Sequence, residues 1–498
     1  MNKEQALEIL NANQSALRAL GHASAVLFID GETAAPIGSA PFRSKTLGEL
    51  SRMQYELTTD PQAVSALEYL YETRDTLDKI TARHISELYR TLDMTRKIPK
   101  DEAVGFDILV SEASAVWHEA KENDDFALFE PYLEKIFSGM MKRAEYFDKN
   151  KDPYDVTMDL FERGLTKDRC DAYFGELKAR ITPLIAKVSA CPQPDDLGIS
   201  GLFSIPEQDK ISKFCMNLMK IDPKYCTLGE TEHPFTANVN KYDVRITTHY
   251  YEDNFLSSLY SVIHEGGHAL YELNVGDELV DTCLASGVSM AIHESQSRFY
   301  ENYIGRSREF TSLLLDYLNV EFPGRLGKVS SDEFYRIINK SAPSLIRTEA
   351  DELTYSMHVM IRYELEKQIF DGKTSVHDLP REWNRLYGEY LGVEVPSNRL
   401  GVLQDSHWSG ANIGYFPSYS IGSAYGAQYL ELMKKEFDPY KCVSDGDFTK
   451  INAWLSDKIW RHGCMTDPVD LFASVCGDFK PSVYADYLEK KFAALYNL

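Results

Sequence analysis

Asn254-Phe255-Leu256-Ser257-Ser258-Leu259-Tyr260-Ser261-Val262-Ile263-His264-Glu265-Gly266-Gly267-His268-Ala269-Leu270 reads as one amphipathic helix. Phe255, Leu256, Leu259, Val262, Ile263 and Leu270 recur at helical spacing, and Asp253 and Asn254 stand where an N-cap belongs. On such a helix His264 and His268 lie one turn apart and project from the same face. Two ring nitrogens so placed can reach one tetrahedral Zn²⁺. Glu265 sits about 100° further round, beside the metal position, where a carboxylate can take a proton from water bound there. This is the H-E-x-x-H pattern of zinc peptidases. Gly266 and Gly267 work against the helix by about 1 kcal/mol each relative to alanine. Two such residues beside a candidate site predict that backbone or substrate passes close to this turn.

Outward from the helix, Tyr242-Asp243-Val244-Arg245-Ile246-Thr247-Thr248 alternates polar and β-branched residues. It predicts a small antiparallel sheet leaning on the zinc helix, with an edge for an extended peptide. The rest is helical in pattern. Residues 3–20 carry a helical period, and Ala25–Thr33 reads as a short apolar segment running into a turn. Several helices are predicted over 46–97, with breaks near Thr58-Thr59-Asp60-Pro61 and at Arg74-Asp75. Two more follow over 101–148 and another over 167–190, before the turn-rich Cys191-Pro192-Gln193-Pro194-Asp195-Asp196. Beyond residue 254 the chain reads as helical except around 393–423. The class is mostly all-α with a minor sheet. No linker divides it, so residues 1–498 are expected to form a single helical domain.

Composition excludes several functions. A net charge of −23 argues against nucleic acid, whose binders carry a basic stripe. No run approaches the ~18 apolar residues of a membrane span, and the start lacks a signal peptide's apolar core. A cytoplasmic protein is expected. Its eight scattered cysteines form no C-x-x-C pair and suit single thiols, not a disulfide framework.

Two histidines leave a metal short of a third protein ligand. A histidine-only continuation fails, because Tyr271 and Asn274 occupy the positions that would need glycine and histidine. A glutamate from the next helix is the other solution. The stretch Ser286–Arg298 opens such a helix and carries Glu294, with His293 adjacent as a competitor; spacing leaves the choice open.

Six motifs in order make the chain recognisable. They are His233-Pro234-Phe235-Thr236, Asp243-Val244-Arg245-Ile246-Thr247, His264-Glu265-Gly266-Gly267-His268, His293-Glu294-Ser295-Gln296, Ile346-Arg347-Thr348-Glu349-Ala350-Asp351 and Gly401-Val402-Leu403-Gln404-Asp405-Ser406-His407-Trp408. With them the chain resembles the carboxypeptidase Taq family of zinc metallocarboxypeptidases over nearly its whole length. The resemblance implies one zinc per chain on His264, His268 and Glu294, with Glu265 as catalytic base. It implies a neurolysin-like helical fold with a long substrate groove, here between an N-terminal part (about 1–230) and a zinc-bearing part (about 231–498), and a homodimer. Where the family carries large side chains near the N-terminus, this chain reads Ile29-Asp30-Gly31-Glu32-Thr33-Ala34-Ala35-Pro36, a difference that bears on the cleft rim and not on the metal chemistry.

The expected function is release of C-terminal amino acids from peptides with broad specificity, with zinc-bound water as nucleophile and Glu265 as general base. Co²⁺ suits the same donors. His407, Tyr415 and Tyr419 are candidate donors to the tetrahedral intermediate and to the substrate backbone, the two phenols lying on a Gly/Pro-shaped loop. A free carboxylate calls for a guanidinium. Arg347, expected on a helix from about Ser344 to Phe370 among Asp351, Tyr355, His358 and Arg362, is the first candidate, and Arg245 the second. His233 is a further candidate for orienting substrate. Two alternatives stand beside this reading, an endo-oligopeptidase and a non-catalytic helical peptide-binding protein. An intact Glu265 favours an enzyme, since a structural site has no use for that base.

Overall fold

Asp60, Thr166, Ser289 and Ser307 each precede a run with apolar residues three and four apart. Each accepts a hydrogen bond from a backbone N–H two or three residues into that run and starts a helix there. The protein is accordingly mostly helical. Its computed structural model describes residues 1–196 and 198–498. In chain order the first helices are α1 (Lys3–Thr33), α2 (Ala40–Thr58), α3 (Pro61–Glu72), α4 (Lys79–Lys97) and α5 (Lys100–Asn123). Next come α6 (Phe126–Asp148), α7 (Pro153–Asp159), α8 (Lys167–Ser189) and α9 (Ile205–Leu218). The strands β1 (Cys226–Glu230), β2 (Thr236–Asn240) and β3 (Asp243–Thr248) lead into α10 (Phe255–Leu273). After it stand α11 (Met290–Arg298), α12 (Arg308–Glu321), α13 (Ser331–Ile338), α14 (Tyr355–Phe370), α15 (Leu379–Leu391) and α16 (Phe416–Glu436), and helices continue to Tyr496. Among the described residues no helix is long and apolar enough to cross a membrane.

Contacts divide the chain into two compact units, each assembled from three stretches. The first holds Met1–Thr95, Ser200–Val288 and Gly446–Thr466. Within it Ala6, Leu10, Ala66, Leu67, Leu70 and Ile85 close a core among α1, α3 and α4. The sheet has the order β1-β3-β2 and lies against α10. β3 pairs in parallel with β1, Cys226 beside Val244, and antiparallel with β2, Thr236 beside Ile246.

The second unit holds Arg96–Ile199, Ser289–Asp445 and Asp467–Leu498. Its central helix, α16, is buried nearly all round, as a helix inside a large core must be. Small residues on α16 let α11 approach it. A Cβ added to Gly422 would stand 2.8 Å from Cβ of Glu294 and 3.0 Å from the carbonyl oxygen of Ala291.

Several local expectations are corrected. The sheet is mixed, not antiparallel, because β1 returns parallel to β3 after a longer connection. Residues 25–33 continue α1 without a turn; no proline interrupts them. The helix expected from Ser344 begins only at Tyr355, after a single 3₁₀ turn over Arg347–Glu349. Asp351 is the cause. Its carboxylate accepts from Ser341 Oγ (2.7 Å), Ala342 N (3.1 Å), Leu353 N (2.9 Å) and Thr354 Oγ1 (2.9 Å), so the chain bends round it instead of coiling. Tyr419 stands in the first turns of α16, since Pro417 falls near the helix start, where proline is tolerated. At Gly266 core side chains, not backbone, crowd the position: a Cβ would lie 2.8 Å from Cε of Met219 and 3.1 Å from Cδ1 of Ile221.

The α11–α16 contact generates one prediction. Gly422→Ala should overpack it, at about 1–3 kcal/mol, lowering Tm in calorimetry, and the displaced Glu294 should weaken retention of a divalent metal during dialysis.

Candidate active site

His264 and His268 project from α10 with ring centroids 5.0 Å apart. The ligand-capable atoms of His264, His268 and Glu294 all lie within 4.8 Å of one another, and His293 is not in that group. Two imidazoles and a carboxylate converging on one point suit Zn²⁺ or a similar divalent ion, so the residues fit the metal that the sequence leads one to expect.

Glu294 is held from several sides. Arg298 Nε donates to its Oε1 (2.7 Å) and Ser297 Oγ to its Oε2 (3.0 Å), so both oxygens have donors and the carboxylate has one orientation. The start of α11 is tied down as well. Met290 N donates to the carbonyl of Phe161 (3.2 Å), and Ala291 N to Oε2 of Glu162 (3.0 Å). Burial pushes the Glu162 carboxyl up to about 7. In the first unit, Glu272 of α10 accepts from the Asn238 side chain, from Ser286 Oγ (2.8 Å) and from Gly287 N (3.1 Å).

Glu265 is 8% exposed. Thr236 Oγ1, on β2, stands 2.6 Å from Oε2 of Glu265 and 3.0 Å from its backbone carbonyl oxygen. Sequence reasoning missed this contact, since Thr236 stood there only as the last residue of the His233-Pro234-Phe235-Thr236 motif with no role attached. Alternation across the paired strands decides a further point. Thr236 lies beside Ile246 in the register, so Arg245 faces the opposite side of the sheet from Thr236. There Arg245 makes a bidentate pair with Asp243, Nε to Oδ1 at 2.8 Å and Nη2 to Oδ2 at 2.7 Å. His233 is exposed.

The second unit gathers four other predicted residues. Arg347 is 6% exposed; its Nε and Nη2 reach Oδ1 of Asp405 at 2.9 and 2.8 Å. Arg362 takes the other oxygen at 2.7 and 2.6 Å. Burial alone would raise the Asp405 pKa, but the two guanidiniums outweigh it and hold the carboxyl well below its ordinary range. Arg347 lies over the Tyr419 ring, 4.9 Å from its centroid, and its Nη1 is 3.5 Å from the Tyr355 hydroxyl. His407 Nε2 is 3.1 Å from Tyr419 OH, and the Tyr415 and Tyr419 rings meet edge-on at 4.9 Å. His358 and Arg362 are fully buried, with His358 Nδ1 3.0 Å from the Tyr387 hydroxyl.

Burial, reinforced by Arg347, brings the His407 pKa down to about 4, so the ring is neutral at neutral pH. Burial raises Tyr415 to about 12 and Tyr419 well above the usual phenol value, and the charge of Glu294 adds to both. Both phenols therefore keep their protons. His407 Nδ1 is buried without a partner. A ring that donates from Nε2 leaves Nδ1 a bare acceptor and leaves the proton of Tyr419 for another acceptor.

Known proteins resemble this chain along its length. The sequence profile of the carboxypeptidase Taq (M32) metallopeptidase family matches residues 9–492. Carboxypeptidase 1 of Bacillus subtilis is 38% identical over 488 residues, 97% of each chain. Thermostable carboxypeptidase 1 of Pyrococcus furiosus is 34% identical, covering 95% of this chain and 96% of that one. The crystal structure of the M32 carboxypeptidase from Deinococcus radiodurans superposes with a TM-score of 0.95 at 33% identity, over 99% of this chain and all of that one. The chain thus belongs to the carboxypeptidase Taq (M32) metallopeptidase family and is a metallocarboxypeptidase, a hydrolase of peptide bonds.

Proposed function

We propose that this metallocarboxypeptidase removes residues from the free C-terminus of peptides at a Zn²⁺ held by His264, His268 and Glu294, with Glu265 as the proton-transferring base. The convergence of those three ligands beside a carboxylate fixed by Thr236 carries the reading. Bound Zn²⁺ supplies a Lewis acid that polarises the scissile carbonyl and makes water an effective nucleophile near neutral pH; Co²⁺ suits the same donors. Glu265 takes the proton of the attacking water and hands it to the leaving amine. Thr236 occupies one of its oxygens and so aims the other. Tyr419 and Tyr415, protonated and backed by a neutral His407, donate to the oxygen that gains charge.

Arg347 recognises the terminal carboxylate. Two guanidiniums share the single carboxylate of Asp405, so the cluster holds an unbalanced positive charge, and a buried charge needs a partner. The Nη1 edge of Arg347 has only a distant phenol and is the one left for an anion. Arg245 is the second candidate, its fork already paired with Asp243; His233, exposed, is open to substrate. The reading includes one peptidase domain with a groove for extended peptide, a broad residue preference, a homodimer and a cytoplasmic location.

Glu265→Gln should retain one metal per chain by elemental analysis and lose about 10²–10⁴-fold in kcat; loss of the metal instead would overturn the roles of Glu265 and Glu294. Thr236→Val, which keeps the shape and removes the donor, should lower kcat/KM about 10- to 100-fold.

A chelator should abolish hydrolysis, and Zn²⁺ or Co²⁺ should restore it; full activity in metal-free protein would refute the metal's role.

Arg347→Ala should lose about 30-fold or more in kcat/KM on a peptide with a free C-terminus. On the C-terminally amidated peptide, already a poor substrate, it should lose little more, and Arg347→Lys should rescue only in part. Equal losses on both peptides would make Arg347 structural and pass the role to Arg245.

A further inference from the structure

In the second unit, α5 and α6 line a cleft of about 460 Å³ that is completed by Leu160, Phe161 and the Gly410–Ala411 turn. Phe106 packs against Gly139, where a Cβ would collide with its ring. Arg143 lies over the same ring, its guanidinium carbon 4.4 Å from the centroid. Desolvation lowers the Arg143 pKa, and the charge of Asp107, one position along α5, opposes that change. Among the described residues neither Arg143 nor Asp107 makes a hydrogen bond or an ion pair. An apolar cleft of ligand size thus has in its lining one cation and one anion, near enough to feel each other's charge and neither of them hydrogen-bonded.

We infer that this cleft binds a free apolar amino acid, with its carboxylate on Arg143, its ammonium on Asp107 and its side chain against Phe106 and Leu160. The charge pattern selects that class. A simple carboxylic acid leaves Asp107 without a cation, and a peptide C-terminus brings no ammonium near its carboxylate. A planar guanidinium suits a carboxylate in two parallel bonds. The enzyme's own reaction releases such molecules, and the proposal rests on the carboxypeptidase reading only for that source.

The cleft is coupled to the active site through its wall. The Phe161 ring meets Tyr415 edge-on at 5.1 Å, and its carbonyl accepts from Met290 at the start of the helix that bears Glu294. Ala411, with φ of +56°, lies in the loop between His407 and Tyr415. An occupant that presses on this wall shifts a phenol placed at the reacting carbonyl, so it alters kcat and not only KM.

The test is titration of L-phenylalanine into the metal-loaded enzyme by calorimetry, together with its effect on peptide hydrolysis. L-phenylalanine should bind, and should change kcat as well as apparent KM. Arg143→Gln and Asp107→Asn should each weaken that binding at least tenfold, leave kcat/KM without added amino acid unchanged, and reduce the effect to simple competition. In the wild type, 3-phenylpropionate and phenylalaninamide, each lacking one charge, should bind at least tenfold more weakly. Absence of binding, purely competitive inhibition of the wild type, or equal affinity in both variants would overturn the proposal. An enzyme that bound the amino acid but cleaved no peptide would instead refute the peptidase reading alone.

Discussion

The buried Glu294 carboxylate is the group on which the packing around α11 depends, because a buried charge has to be met by donors in a single orientation. Arg298 and Ser297 occupy both its oxygens. Arg298 is itself fixed by Glu301 at 3.0 Å and by the Tyr355 ring at 4.0 Å. Burying such charges is costly unless every one is paired, and here the pairs run from Glu294 through Arg298 to Glu301, just past the end of α11. The absence of a side chain at Gly422 lets α11 lie close enough to α16 for this to work.

Proton handling is distributed by environment. Glu265 stands against a threonine hydroxyl on the sheet. Tyr415 and Tyr419 are phenols whose burial keeps the proton on, and His407 is an imidazole whose burial keeps the proton off. Burial thus fixes the protonation of all three across the neutral range.

The Arg347–Asp405–Arg362 cluster is a buried network of ion pairs in the second unit. It fastens the Gly401–His407 segment to the turn before α14, since Gln404 also accepts from Arg347 N (3.0 Å) and Arg362 Nη2 (2.8 Å). It also leaves positive charge in excess.

The sequence alone determined what depends on neighbours three or four residues apart. The α10 helix with His264 and His268 on one face, the breaks at Asp60-Pro61 and Arg74-Asp75, and the paired helices α5 and α6 all follow from local spacing and capping. Glu294 was legible through its motif, although spacing could not separate it from His293. Tertiary structure decided the rest, where the partner lies far along the chain. β1 and β2 are short, with weak alternation of their own, and exist because β3 pairs with both. Thr236 reaches Glu265 only once the sheet lies on α10, Arg245 turns from it by register parity, and Gly266 answers to Met219 and Ile221. Arg347 left its expected helix because Asp351 bonds five donors at once. Side-chain hydrogen bonds and close packing act over distances that sequence spacing does not encode, so these positions took their meaning from the fold.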